Sequence, residues 1–368
     1  MTTPALHFPY MFWAHHEGFL SPYCLSQSGM PVPEASFLDG MGIDIAHPCA
    51  EAKPALEARL AELFGVAPEQ VLVTVGASAA MQVAAMQWFR PGTRVAAEIP
   101  SYEPLRKLPT YFGAEPRPLV RRAEAGWALD PADVRVALAG GDGPGHVFMT
   151  NPHNPTGARI DADGMRAIAE EAAHAGGNLV CCEVYMEFAP PAERVHVFDL
   201  APNTVTIGSL TKAYGLGALR VGWLILGEGV ARERMEIEDK SYLGYVDPPT
   251  CALRAGMRAL DHLPELLQPV RRIEAESRPV FERWLHETSA FDGTLGPHGI
   301  IAFPRVRGVD DTAALVEHLQ AEHKVDVVPG EYFGQPGHVR IGFGVPVETL
   351  RTGLERLEQG VASFLATR

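Results

Sequence analysis

The stretch Thr204-Val-Thr-Ile-Gly-Ser-Leu-Thr-Lys-Ala-Tyr-Gly-Leu-Gly-Ala-Leu-Arg220 decides the reading of this 368-residue chain. A β-branched run, Thr204 to Gly208, leads into a loop holding Ser209, Lys212 and, eight residues after the lysine, Arg220. Lys53, Lys107, Lys212, Lys240 and Lys324 are the only lysines among 31 basic residues. In a chain that uses arginine by default, an ammonium among hydroxyls and beside a guanidinium points to what arginine cannot do: lose its proton at tolerable cost and attack a carbonyl to form a Schiff base. An isolated loop lysine is ordinarily a solvated surface charge, so the neighbours carry this argument. Gly215-Leu-Gly-Ala-Leu-Arg220 lacks the third glycine and the spaced acidic partner of a dinucleotide-binding turn, which argues against an oxidoreductase.

Outward from this loop, short apolar runs alternate with helical periodicity from about residue 56 to 230. The patterns predict strands over 71–75, 94–99, 146–150, 178–185, 204–208 and 222–226, with helices such as 79–89 and 161–175 between them. That alternation predicts an α/β fold with a mostly parallel, doubly wound sheet and helices on both faces. Ligands in such sheets bind beyond the carboxyl ends of strands, and Gly76, Asn151, Tyr185 and Lys212 each follow a predicted strand. The glycine-rich segment 140–145 reads as a surface loop. After Asp247-Pro-Pro249 the pattern changes to amphipathic helix mixed with short strands near 299–304, 325–328 and 339–343, and a helix from about Asp311. This predicts a smaller α+β domain.

A net charge of −14 disfavours nucleic acid and anionic membranes as partners, since both need a basic footprint. An anionic ligand must then be held by local groups. Five cysteines, an odd number without paired metal spacing, imply reduced thiols and a cytoplasmic protein, and no metal site is expected. Neither a signal segment nor a run of about 18 apolar residues is evident, so neither secretion nor membrane spanning is expected.

Five motifs stand in order: VGASAAM at 75–81, NPHNPTG at 151–157, CEVY at 182–185, Ser209-Leu-Thr-Lys212 with Arg220, and HVRIGFG at 338–344. Together they resemble the fold-type I pyridoxal-phosphate enzymes of the class I/II aminotransferase family, from about residue 40 to the C-terminus and weakly before. The resemblance implies an aspartate-aminotransferase-like fold, with a large cofactor domain over 45–248 and a small domain from 1–44 and 249–368. It also implies a homodimer. Pyridoxal 5'-phosphate would be carried by Lys212 as an aldimine. Gly76, Ala77 and Ser78, at a strand-to-helix turn, would hold its phosphate together with Ser209 and Arg220; an ordinary capped helix with Ser78 as cap is the competing reading. Tyr102, in IPSYEPL, stands where the family stacks an aromatic ring on the pyridine. Asn154 and Tyr185 resemble the two donors to the phenolic oxygen, and Arg340 resembles the arginine that grips the substrate α-carboxylate, with Asn154 helping to orient it.

Two positions depart from the family. The aspartate that pairs with the pyridine nitrogen is replaced by Cys182, and Glu183, one position away, is expected to face the other way by strand alternation. Cys182 is then either a thiolate held by a neighbouring cation or a neutral group beside a weakly protonated ring. His47 stands roughly where some members place a tyrosine that reaches the partner subunit's phosphate. The reading that results is an aminotransferase moving an amino group from an α-amino acid to a 2-oxo acid, with Lys212 as the proton shuttle. Another reaction on the same cofactor, a β-elimination, racemisation or retro-aldol step, is the alternative that Cys182 raises. A non-enzymatic regulator on this fold is opposed by the joint presence of Lys212, Tyr185, Asn154 and Arg340.

Overall fold

The structure, a computed structural model, describes residues 7–42 and 47–367. The expected domain boundary between residues 44 and 45 lies outside the described residues. Among the described residues fourteen strands form: β1 (Tyr23–Cys24), β2 (Val71–Val75), β3 (Arg94–Ile99), β4 (Glu115–Val120), β5 (Gly145–Thr150), β6 (Leu179–Cys182), β7 (Thr204–Ser209), β8 (Val221–Leu226), β9 (Phe291–Asp292), β10 (Ile301–Ala302), β11 (Arg305–Val306), β12 (Val325–Asp326), β13 (Val328–Pro329) and β14 (Val339–Gly342). Seven of them make one sheet in the order β2-β8-β7-β6-β5-β3-β4. All its pairings are parallel except the two made by β8. The carboxyl ends of β2, β5, β6 and β7 therefore share a rim with the amino end of β8. The loop between β7 and β8, which carries Lys212 and Arg220, turns back on that rim.

Alternation along the central strands sorts side chains between two cores. Val147, Met149, Leu179 and Cys181 face a cluster with the helices α5 (Pro131–Leu138) and α6 (Ala162–His174). Phe148, Val180, Cys182 and Ile207 face the larger cluster, which includes α2 (Ala52–Phe64) and α3 (Gly76–Trp88). Burial on both faces is why these strands are almost wholly apolar and carry little period-two polarity. α5 and α6 start from Asp130 and Asp161, whose carboxylates accept from the N–H groups of Ala132 and Gly164.

Two strand expectations need correction. The strand expected over 178–185 stops at Cys182, because the chain turns there and the N–H of Met186 bonds the carbonyl of Glu183 at 2.8 Å. β4 has no counterpart among the expected strands. Its prolines at 116 and 118 cannot donate to a ladder, and they are tolerated because β4 is an edge strand, paired on one side with β3. The segment 140–142 is exposed as expected, while Gly145 begins β5.

The N-terminal region packs with the C-terminal strands. β1 pairs with β12, and the N–H of Gly342 bonds the carbonyl of Leu25. A side chain on Gly342 would stand 1.8 Å from the Gln27 carbonyl oxygen, so glycine is required where this segment crosses β14. The helix α1 (Pro9–His16) is thereby carried over the sheet rim.

Candidate active site

At the rim lies a chamber of about 620 Å³ lined by the N-terminal region and by residues at the strand ends of the large sheet. Ala77 and Ser78 come from the start of α3; Thr150 and Asn154 from the end of β5 and the following loop. Cys182, Val184 and Tyr185 come from the end of β6, and Ser209, Lys212 and Arg220 from the loop after β7. Tyr102 enters from the residue before the helix α4 (Glu103–Tyr111), and Tyr10, Met11 and Ser28 from the N-terminal region. Except for Gly76 and Arg340, which stand just behind the wall, every residue expected at the site lines this one chamber. His47 is exposed and is not part of the lining.

One end of the chamber is built for an anion. α3 begins without a side-chain cap, so its first N–H groups are open to a ligand; Ser78 does not cap it. The Arg220 guanidinium has no hydrogen-bond or ion-pair partner among the described residues, and it lies so close that a side chain on Gly76 would meet its Nη2 at 2.6 Å. Gly76 has φ +73° and Arg220 φ +54°, so both are held in left-handed conformations where the guanidinium meets the helix start. Gly222 closes the arrangement, since a side chain there would stand 2.4 Å from the Gly76 carbonyl carbon. The hydroxyls of Ser78 and Ser209 complete an anion cradle in an acidic protein.

Lys212 lies between the cradle and the chamber's far wall. Its Nζ donates to Ser28 Oγ at 3.0 Å and stands 6.0 Å from the centre of the Tyr185 ring. Burial lowers its pKa, and the guanidinium groups of Arg340 and Arg220 act in the same direction. The Tyr185 phenol oxygen is buried without a hydrogen-bond partner of good geometry, the neighbouring Ser28 hydroxyl being engaged by Lys212. Asn154 Oδ1 accepts from Arg340 Nη1 at 3.1 Å, which leaves its Nδ2 free to donate. Two unspent donors thus remain, one from Asn154 and one from Tyr185, as a ligand's phenolic oxygen requires. Tyr102 packs edge-on against Tyr10, ring centres 5.9 Å apart, and burial holds its phenol well above the usual range.

Arg340 is fully buried on β14. Besides Asn154 it reaches Tyr10 Oη at 3.1 Å and the Ser26 carbonyl at 2.9 Å from Nη2, while Nε has no partner. Three of its five N–H donors are therefore spent within the protein, and two remain. Its guanidinium carbon lies 5.1 Å from the Phe333 ring centre and 5.6 Å from that of Tyr10.

Cys182 lines the chamber, and Glu183 does not: its carboxylate faces His196 Nδ1 at 2.7 Å and the Val197 N–H at 2.9 Å. The Glu183 N–H still continues the ladder to the Ile207 carbonyl at 2.8 Å, so alternation places its side chain opposite Cys182, on the side of Cys181 and Val197. Burial pushes the Cys182 thiol up to about 12, against the opposing pull of the Val184 N–H and of Lys212. Within this chain's own field it is a neutral thiol.

Sequence reasoning missed Tyr10, Ser28 and Thr150. The aromatic run Pro9-Tyr-Met-Phe-Trp13 was a signal of burial, but nothing in it said what it would cover. Thr150 accepts from the Asn154 N–H at 3.1 Å, and its own N–H bonds the buried carboxylate of Glu98 at 2.9 Å.

This sheet, with a buried amine beside an anion cradle at its rim, defines a fold-type I pyridoxal-phosphate enzyme. The chain belongs to the aminotransferase class I and II family, whose model matches residues 48–357. Capreomycidine synthase of Streptomyces vinaceus is 34% identical over 304 residues, which span 81% of this chain and 76% of that protein. An arginine–pyruvate transaminase of Pseudomonas aeruginosa is 26% identical over 348 residues, 91% and 87% of the two chains. Among solved structures, a PLP-dependent aminotransferase from Streptococcus suis superposes with a TM-score of 0.87 at 24% identity over 99% of each chain, a likeness of fold. The PLP-dependent cyclase OrfR superposes with a TM-score of 0.81 at 26% identity over 96% of each. The cofactor is pyridoxal 5'-phosphate, and the unspent donors and the cradle described above fit it. Among the described residues no helix is long and apolar enough to cross a membrane.

Proposed function

We propose that this enzyme acts at the α-carbon of a free α-amino acid and transfers the amino group to a 2-oxo acid. The observation that carries this reading is that Lys212 and Asn154 line one chamber, with Arg340 bonded to Asn154 directly behind its wall. Ala77, Ser78, Ser209 and Arg220, with Gly76 shaping the turn, hold the cofactor phosphate; Asn154 and Tyr185 donate to its phenolic oxygen. Bound there, pyridoxal phosphate supplies an aldehyde for the amino group and a ring that withdraws electrons from the α-carbon. Lys212, its pKa lowered by burial, holds the cofactor at Nζ and, once released, takes the α-proton and returns it one atom along. Arg340, which keeps unspent N–H donors behind the wall, would meet the substrate carboxylate, and Asn154, tied to the same guanidinium, would align it. Tyr10 closes that pocket from α1.

A second reading is a reaction on the substrate side chain, such as an elimination or ring closure. Cys182 favours it, because a neutral thiol gives the pyridine nitrogen no counter-charge and weakens the pull that amino transfer needs. The names of two relatives, a capreomycidine synthase and a cyclase, point the same way. Mixing holoenzyme with single amino acids and no 2-oxo acid separates the two. One equivalent of keto acid together with pyridoxamine phosphate supports transfer; continued turnover without acceptor overturns it in favour of the side-chain reaction.

Residues 45–248 would form the cofactor domain, with 1–44 and 249–368 as the small domain. Pairing of β1 with β12 supports joining the two chain ends. Exposed Met235, Tyr242, Leu243 and Val246 form an apolar stretch suited to a second copy of the chain, which supports a homodimer. Five free thiols support residence in the cytoplasm.

A further inference from the structure

A second cavity, of about 570 Å³, opens between the segment that follows β4, the strands β9 and β11 and the residues just before β14, and it shares no lining residue with the chamber. Its floor is aromatic. Phe303 and His338 stack 5.1 Å apart at 19°, and Trp127 stands edge-on to His338 at 5.7 Å. Trp127 has φ +62°, a conformation that a bulky side chain adopts only when its surroundings hold it there. Here its carbonyl accepts from the buried Arg121 Nη1 at 2.8 Å.

His338 is only 4% exposed. Its Nδ1–H donates to the Pro336 carbonyl at 3.3 Å, and burial lowers its pKa, so the ring is neutral and Nε2 is an acceptor. That acceptor has no partner among the described residues. At the rim, Arg122 makes no side-chain hydrogen bond or ion pair among the described residues, and Arg305 pairs with the exposed Asp310 at 3.1 Å. Glu124 lies close enough for its charge to act on His338. The other rim acid, Asp292, is engaged by Arg307.

We propose that this cavity is a binding site for a free aromatic amino acid whose ring carries an N–H. The ring would lie on Trp127 and Phe303 and donate to His338 Nε2, the carboxylate would meet Arg122 and Arg305, and the ammonium would meet Glu124. A zwitterion suits a rim that offers both signs within one small opening, and a flat ring with a donor suits an aromatic floor holding one unspent acceptor. The site does not depend on which reaction the chamber catalyses. His338 lies two residues before Arg340, so the two sites share the support of β14.

The test is equilibrium dialysis of the holoenzyme against radiolabelled L-tryptophan, with Arg340→Ala protein alongside to weaken amino-acid binding in the chamber. Binding should persist in Arg340→Ala with affinity within about twofold of wild type, and L-alanine should not compete. Replacing Arg122 and Arg305, both exposed, by alanine should weaken it about tenfold or more, with the melting temperature unchanged. Loss of binding in Arg340→Ala would place the ligand in the chamber and overturn the proposal. So would undiminished binding in the double variant, or none to either protein at millimolar ligand.

Discussion

Replacing Cys182 by aspartate should move the cofactor-free and cofactor-bound enzymes in opposite directions. In the native chain the thiol is buried against the chamber and pushed up to about 12, so it carries no charge at neutral pH. An aspartate there would be a buried carboxylate. Without cofactor its nearest cation is Lys212, whose own pKa is lowered by the same burial, so the carboxylate is poorly compensated and the melting temperature should fall. With cofactor bound as proposed, it would face the pyridine nitrogen. Breaking a buried charge pair costs about 3–5 kcal/mol. Making one should therefore tighten cofactor binding by about two to four orders of magnitude, since 1.36 kcal/mol is tenfold. The assay pairs a pyridoxal-phosphate dissociation constant with thermal melts at and without saturating cofactor. A single-turnover half-reaction with an amino acid should accelerate as well. Cys182→Ala is the control: it leaves a small cavity and no change of charge, so it should cost about 1–2 kcal/mol or less in both forms. An unchanged dissociation constant, with both forms destabilised equally, would refute the placement of the pyridine nitrogen at Cys182.

Lys212 should be labelled when the holoenzyme is reduced with borohydride, and a pyridoxyl group found on any other lysine by peptide mapping would remove its assignment. Lys212→Met should also stabilise the cofactor-free protein at pH 7. The folded pKa lies below the unfolded value of about 10.4, so the folded state binds fewer protons between the two, and wild-type stability rises with pH across that window. The advantage of the variant in melting temperature should accordingly shrink as pH approaches about 10. Arg340→Ala should lower kcat/KM for amino acids by about thirtyfold or more, from a loss of at least about 2 kcal/mol, and unchanged kinetics would count against the carboxylate assignment. Gly222→Ala must push the start of α3 away from β8, because the added carbon would stand 2.4 Å from Gly76. It should cost about 1–3 kcal/mol of stability and weaken cofactor binding, measured by dialysis; retained affinity would show that the cradle does not depend on this turn.

The sequence by itself determined most of the sheet and the residues that gather at its rim. Alternating apolar runs and helices are local properties, and strands buried on both faces leave them plainly written, as in Val71–Val75 and Arg94–Ile99, where the expected and observed limits coincide. Motif residues such as Asn154, Tyr185, Ser209, Lys212 and Arg220 were legible for a related reason, since each must leave a strand end at a set spacing to reach one rim. Only the tertiary structure decided what comes from afar. Tyr10 and Ser28 lie 330 and 184 residues from the partners they meet, Arg340 and Lys212, and no local pattern encodes such a contact. β4 was hidden because its prolines oppose a strand everywhere except at an edge, and edge position is a property of the assembled sheet. The state of Cys182 was open for the same reason: whether a thiol is ionised depends on burial and on the charges folded around it, and here burial prevails over the nearby cation.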